Sequence, residues 1–512
     1  PPLPAALHRK GWYLAMSNSP SAKDPATPNA SSPERPEDEK LPPRLLFIYG
    51  LQHILTMYAG AVAPALVIGA AAGLANDPAA MGILVSGALI VAGIATFMQS
   101  VGHRSIGAQM PIVVACSFVP VSAITSLAAG NDGENLPVAF GASLAAGLFA
   151  LCLTPFFGQL IRFFPPVVTG TIITVIGVSL MPVAADWIME DESVEPSAPL
   201  GNMALAGLTL VVILIGSRVL PGIWGRLSIL IGLLLGTLVA IPFGMADFSR
   251  VNEADTVFDP TSVFQFGAPQ FEVAAIVTMC IIMLVVLTEG ASHIIAVGEI
   301  TGSKVDAKRI SAGLRADVSG SILGPIFSAT PTSSFAQNIG LLALTGVRSR
   351  YVVATGAGIL LVLGMFPVLG GVMAAIPGPV LGGAGLVLFG SVAASGIKTL
   401  AKVDFTDNLN LVLVSAAIGV AIVPLAYPTF YQQLPEAVEL VAHSGIIGAA
   451  VVAIVLNICF HVIGRRPQDG APAGIEEEDI GSAGPGEAKY TDHAGAAYRD
   501  DESGERPGGD RS

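Results

Sequence analysis

The stretch Pro331-Thr332-Ser333-Ser334-Phe335-Ala336-Gln337-Asn338-Ile339-Gly340-Leu341-Leu342-Ala343-Leu344-Thr345-Gly346 decides how this chain folds. It lies among long apolar runs, yet it opens on proline, is polar in its first half and is shorter than the roughly 20 residues a helix needs to cross a bilayer. Non-helical backbone at membrane depth is stable only where protein buries it or where it lines a watery cavity, and transporters hold their substrates on broken segments of this kind. The stretch therefore reads as half of a binding site. Gln337 offers a carbonyl acceptor beside an amide donor, the complement of a lactam edge, and a site built for such an edge rejects analogues lacking it. A helix starting near Ala336 directs free backbone N–H groups into the same space. Phe118, from an earlier stretch, offers a ring face, and stacking of a base is worth about 1–3 kcal/mol. These groups describe a small, planar, polar ligand.

The rest of the chain supplies the setting. Its 512 residues are 52% hydrophobic and only 12% charged, with a mean hydropathy of +0.69, too apolar for a soluble domain of this size. The fold class is an all-α polytopic membrane protein. Apolar runs number 14, from residues 45–72 to 441–463, and the third (110–128) and tenth (331–346) carry Pro and Ser where a simple helix would carry Leu. Cys116, Cys152, Cys280 and Cys459 stand singly in apolar runs and read as packing residues. The net charge of -13 collects in tails and alternate loops. Residues 1–43 and 465–512, rich in Pro, Ser, Gly and acids, are expected to be disordered. Met16 is a candidate true start, and the residue order of a cleaved signal peptide is not found near it.

Lys and Arg mark cytoplasmic loops. With the N-terminus inside, the inner loops hold Arg104, Arg162, Arg218 with Arg226, Lys304 with Lys308 and Arg309, Arg348 with Arg350, Lys398 with Lys402, and Arg465 with Arg466. The outer loops hold Asp77, Asp132 with Glu134, Glu190 to Glu192, Asp255 with Asp259, and Glu436 with Glu439. Both termini are thus expected in the cytoplasm, and the protein in the cell membrane. A weak repeat adds a symmetry: Pro111 leads to Cys116-Ser117-Phe118 as Pro331 leads to Ser333-Ser334-Phe335, and Pro165-Pro166-Val167-Val168-Thr169-Gly170 is echoed by Gly378-Pro379-Val380-Leu381-Gly382-Gly383. Two halves of seven spans, residues 44–246 and 272–464 joined by an outer loop at 247–271, must face opposite ways because seven is odd. Such inverted repeats place the site where their broken segments meet.

Ionisable residues inside the membrane are functional candidates. Glu289 and His293 share one helical face of the eighth span by their i, i+4 spacing. Glu289 is the candidate proton carrier, and His293 either relays a proton, bonds a substrate carbonyl or is a packed core histidine. His53 in the first span is expected to orient Glu289 or Asn338. Glu299, Asp404 and Asp407 read as interfacial. The spans hold no metal-ligand cluster, nucleophile–base pair or phosphate loop, which argues against an enzyme, a metal site or a bound cofactor.

Gln337-Asn338-Ile339-Gly340 with Thr345 resembles the signature of the nucleobase-ascorbate transporter family, also called nucleobase:cation symporter family 2. Gly50-Leu51-Gln52-His53, Cys116-Ser117-Phe118, Arg162 to Gly170 and Gly313-Leu314-Arg315-Ala316-Asp317 extend the resemblance over residues 45–463. It implies 14 spans in two inverted repeats, short antiparallel strands in spans 3 and 10, core and gate domains, elevator-like motion and a homodimer. It further implies that Glu289, Gln337, Phe118, Ser117 and the backbone at Ala336 bind substrate, and that His293, His53 and Asn338 support binding or proton coupling. Gln337 is similar to the xanthine and uric acid members, whereas His293 is similar to the uracil members. The expected activity is proton-coupled import of xanthine or uric acid across the lipid bilayer, with sodium left open as coupling ion and no nucleic acid partner. The alternatives are a uracil or pyrimidine symporter and an anion exchanger or channel of the same fold.

Overall fold

The computed structural model describes residues 35–463 apart from 76, 104, 131–132, 158–163, 190–198, 222, 247–262, 367–371, 373–374, 428 and 435–444. Expectations placed on Arg104, Asp132, Arg162, residues 190–192, Asp255, Asp259, Glu436, Glu439 and both tails beyond 34 and 463 lie outside the described residues.

Helix α1 (Pro43–Ala71) opens with proline in its first turn, where no intrahelical N–H is lost. In α2 (Pro78–Val101), Asp77 caps the N-terminus by accepting from Ala79 N and Ala80 N at 3.0 Å. There follow strand β1 (Val114–Cys116), the short α3 (Val121–Ala128), α4 (Leu136–Leu153), α5 (Pro166–Ser179), α6 (Met181–Met189), α7 (Leu200–Val219) and α8 (Ser228–Ala240). The second half opens in the same order, two long helices, a strand and a short helix: α9 (Val273–Thr301), α10 (Ala307–Ile326), β2 (Thr332–Ser334) and α11 (Ala336–Thr345), then α12 (Arg350–Gly364), α13 (Gly378–Leu400), α14 (Asn408–Ala426) and α15 (Gly445–Asn457). Among the described residues eight helices are long and apolar enough to cross a membrane, and three shorter ones are apolar. The 20-residue α10 is less apolar because it buries Ser311, Asp317 and Ser321 among glycines inside protein.

At the centre β1 and β2 pair antiparallel, Val114 opposite Ser334, Ala115 opposite Ser333 and Cys116 opposite Thr332. Two bonds extend the ladder symmetrically, Ser117 N to Pro331 O at 2.9 Å and Phe335 N to Val113 O at 2.8 Å. A two-stranded ribbon leaves outer edges unpaired, which is costly away from water. The preceding helices satisfy them with hydroxyls. Thr96 of α2 donates to Val114 O at 3.0 Å and accepts from Val114 N at 2.9 Å. Ser321 of α10 does the same for Thr332, at 3.1 and 3.0 Å. Close approach of α2 to the turn before β2 needs a glycine, since a Cβ on Gly87 would lie 1.8 Å from Phe327 O. Gly87→Ala should cost at least about 1–3 kcal/mol, seen as a lower thermal midpoint in detergent; an unchanged midpoint would show that this packing relaxes freely.

The end of the N-terminal segment corrects the expectation of disorder through residue 43. Pro36–Asp38 form a 3-10 turn, and Glu37 is fully buried against Arg309 and Ser303. Burial alone would raise its carboxyl pKa, but the Ser303 and Arg309 hydrogen bonds and the guanidinium charge outweigh that and hold it below the usual carboxylate value.

Candidate functional site

The strand crossing gathers polar groups from α2, α9, α10 and α11. Glu289 sits half-buried in α9. Ser117, just past β1, accepts from Val119 N at 3.2 Å and donates its proton to Glu289 Oε2 at 3.1 Å, so the serine meets the carboxylate as a donor. One turn on, His293 Nδ1 lies 2.8 Å from Ser334 O. A carbonyl only accepts, so Nδ1 carries the hydrogen and Nε2 is the nitrogen able to accept.

Ser334 also faces the other way. Its N–H and Oγ reach Asp317 Oδ2 at 3.3 and 2.9 Å, while Gln99 Nε2 reaches Asp317 Oδ1 at 3.3 Å. Asp317, only 2% exposed, is a second carboxylate of the site that the sequence reading quoted in a motif without giving it a role. A Cβ on Gly290 would fall 2.8 Å from Asp317 Oδ2, so α9 brings the residue next to Glu289 against it. The signal that picked out Glu289, an acid inside a helix at membrane depth, also applies to Asp317.

Gln337 lies in the first turn of α11, which follows the extended Phe335. Together with Phe335, Thr56 and Gly60 of α1, Leu227 ahead of α8 and Leu388 of α13, it lines a narrow, partly open cavity. Gly60 keeps this space open, since a Cβ there would come within 2.8 Å of Phe335 Cζ and 3.9 Å of Gln337 Nε2. The described lining of that cavity does not include Glu289, Ser117 or Phe118. The ring of Phe118 instead meets Phe389 of α13 edge-on at 6.0 Å, and Phe389 in turn packs against Trp187 of α6 at 6.0 Å. His53 pairs with Asn338, the second of its two expected partners: Asn338 Nδ2 supplies one hydrogen to His53 O at 3.0 Å and the other to His53 Nδ1 at 3.1 Å. Asp407 caps α14 through Leu409 N at 2.9 Å, Asp404 bonds Thr406, and Glu299 is exposed, all at helix ends away from the crossing.

Two short helices that begin at crossed strands, with acids and an amide side chain gathered where they meet, define a membrane carrier with a central site. Comparison with known families agrees: the sequence model Xan_ur_permease, described as Permease family, matches residues 44–430. The chain belongs to this family, that of the nucleobase-ascorbate transporters, and is a permease rather than an enzyme. It is 36% identical to the xanthine permease of Bacillus subtilis (strain 168) over 84% of this chain and 97% of that one. It is 37% identical to the uric acid transporter UacT of Escherichia coli (strain K12) over 86% and 92%, and 36% identical to the uric acid permease PucJ of B. subtilis over 82% and 94%. Among solved structures, the transmembrane domain of the cyanobacterial bicarbonate transporter BicA superposes with a TM-score of 0.52 at 17% identity, covering 81% of this chain and 97% of that one. The murine anion transporter Slc26a9 in its inward-facing state gives 0.55 at 12% identity, covering 83% and 70%. These two likenesses concern the fold alone.

Proposed function

We propose that the protein imports an oxopurine, xanthine or uric acid, by proton symport. The observation that carries this reading is Gln337 on the wall of the cavity at the start of α11, in a chain whose relatives include a xanthine permease and uric acid permeases. Its amide can pair with a lactam edge through one acceptor and one donor. Glu289, held by Ser117, is the proposed proton carrier and second substrate contact, with Asp317 and His293 set around Ser334 as its support. His53 and Asn338 brace α1 against α11.

The recurring element order and the symmetric ladder around β1 and β2 support reading the chain as 14 spans in two inverted repeats. In that reading α1 to α4 and α9 to α12 form a core that slides against a gate of α5 to α8 and α13 to α15, with the cavity at Gln337 lying between core helix α1 and the gate elements α8 and α13. A homodimer in the cell membrane with cytoplasmic termini, the loop charges and the use of protons rather than sodium belong to the same proposal. The bicarbonate and anion carriers share the fold, but the arginines described here serve helix ends and loops, as Arg315 does by donating to Ser105 O at 2.9 Å. An anion exchanger should need a net positive midplane site, whereas the crossing here presents the carboxylates of Glu289 and Asp317.

The test is uptake of radiolabelled xanthine into proteoliposomes under an inward proton gradient, with unlabelled urate, uracil and sulfate as competitors. Accumulation that collapses with a protonophore and is blocked by urate, but not by uracil or sulfate, is expected. Uptake of uracil alone would make His293 the better guide to substrate, and transport of sulfate would return the chain to the exchanger class. Gln337→Glu should move the competition profile toward pyrimidines, because the donor half of the edge reader is lost. An unchanged profile would place selectivity elsewhere on the cavity wall.

A further inference from the structure

The acidic turn ahead of α1 touches more than its immediate neighbours. Glu37 is buried between Arg309 Nη2 and Ser303 Oγ, Asp38 Oδ1 takes Arg350 Nε at 2.6 Å, Ser349 Oγ donates to Glu39 O at 2.6 Å, and Arg35 Nη1 donates to Gln109 Oε1 at 3.0 Å. An acid from a polar tail leaves water only where good geometry and further hydrogen bonds offset its desolvation. Here residues 303–309 supply them for Glu37, while 349–350 and Gln109 hold the rest of the turn.

From Arg309 the contacts continue inward to the carrier site without a break. Its Nε donates to Ala108 O at 2.7 Å and its Nη2 to Gln109 O at 3.1 Å. The same Ala108 donates its N–H to Gln99 Oε1 at 3.1 Å. A backbone N–H can only donate, so the amide of Gln99 is fixed with its NH₂ toward Asp317 Oδ1. Asp317 holds Ser334, and Ser334 O holds His293. Gln99, Asp317 and Ser334 are 0%, 2% and 3% exposed, so water has little access to replace a lost partner.

We propose that the turn at residues 35–39 is a positioning element of the transport site, clamping Arg309 onto the 108–109 peptides so that Gln99 holds Asp317 and Ser334 in register. Gln99 is the residue through which the clamp acts. Neither Glu37 nor Gln99 lines the cavity at Gln337, so the clamp sets how the site turns over rather than how it grips substrate. The inference rests on the reading of this crossing as the transport site, but half of its test does not.

That half is hydrogen–deuterium exchange on the purified full chain without substrate. Glu37→Ala should speed exchange both near residue 108 and at residues 332–335 by at least about fivefold, the lower end of coupling between linked sites. The exposed control Asp404→Ala should change neither. In a Gln99→Met background, or Gln99→Asn if that variant inserts better, adding Glu37→Ala should no longer affect residues 332–335, the signature of a shared path in a double-mutant cycle. Faster exchange confined to the first region, or the same effect with and without Gln99, overturns the proposal. The second half is transport: Glu37→Ala should lower the maximal xanthine uptake rate per inserted molecule about fivefold or more, with KM within about twofold. A fall in rate matched by a rise in KM, or no change in either, also overturns it. Failure of the unaltered protein to move xanthine would count against the substrate reading and leave the exchange experiment to decide the clamp.

Discussion

Glu289→Gln should abolish accumulation of substrate against its gradient while leaving the protein folded in the membrane. The substitution is nearly isosteric, and a glutamine carbonyl can take over the hydrogen from Ser117 Oγ, now donated at 3.1 Å. What disappears is the ability to carry a charge or a proton. If Glu289 also accepts from the purine ring, the loss includes a hydrogen bond to a charged group, about 1.5–3 kcal/mol, so binding should weaken about tenfold to a hundredfold as well. Two measurements separate these roles: equilibrium binding of labelled xanthine to purified protein, and uptake driven by an imposed proton gradient. Full loss of driven uptake with weakened binding is expected. Uptake that still rises with the proton gradient would move coupling away from Glu289, with Asp317 as the other carboxylate described at the crossing.

The part of this site visible in the sequence is the part that breaks a local rule. Pro331 to Gly346 is too polar and too short to be a span, and its structure is a strand followed by a ten-residue helix. Glu289 and His293 are ionisable residues in an apolar run, and both sit at the crossing. Asp317 satisfies the same rule, yet it enters the sequence reading only as the last residue of the Gly313 to Asp317 motif, without a role. Gln99 and Thr96 had no such signal: a neutral polar residue in an apolar helix disturbs neither charge nor periodicity, and its role depends on a partner from another element. The acidic turn at Glu37 was misread for a different reason. Composition describes what a segment can bury by itself, and the partner that makes burial of Glu37 possible is Arg309, 272 residues away.

Asp317→Asn should be nearly as damaging as loss of Glu289, and for a reason that can be counted in donors. In the present geometry the carboxylate accepts from Gln99 Nε2 on one oxygen and from Ser334 N and Oγ on the other. An asparagine has one acceptor oxygen and one NH₂ group. Turned either way, it places NH₂ against Gln99, whose own amide is locked by Ala108 N, or against the backbone N–H of Ser334. One buried donor then faces another, and an unsatisfied buried donor costs about 1–3 kcal/mol. Relief is possible only if Gln99 turns and abandons Ala108, or if Ser334 moves and takes its carbonyl away from His293. The expected result is protein that still inserts but shows no gradient-driven uptake, with faster amide exchange at residues 332–335. Adding Gln99→Glu to Asp317→Asn restores an acceptor for the new NH₂ but leaves position 317 without its carboxylate, so it should recover slow exchange without recovering transport. Recovery of both would mean that Asp317 serves the fold alone, whereas recovery of the fold without transport would make its charge part of the carrier cycle.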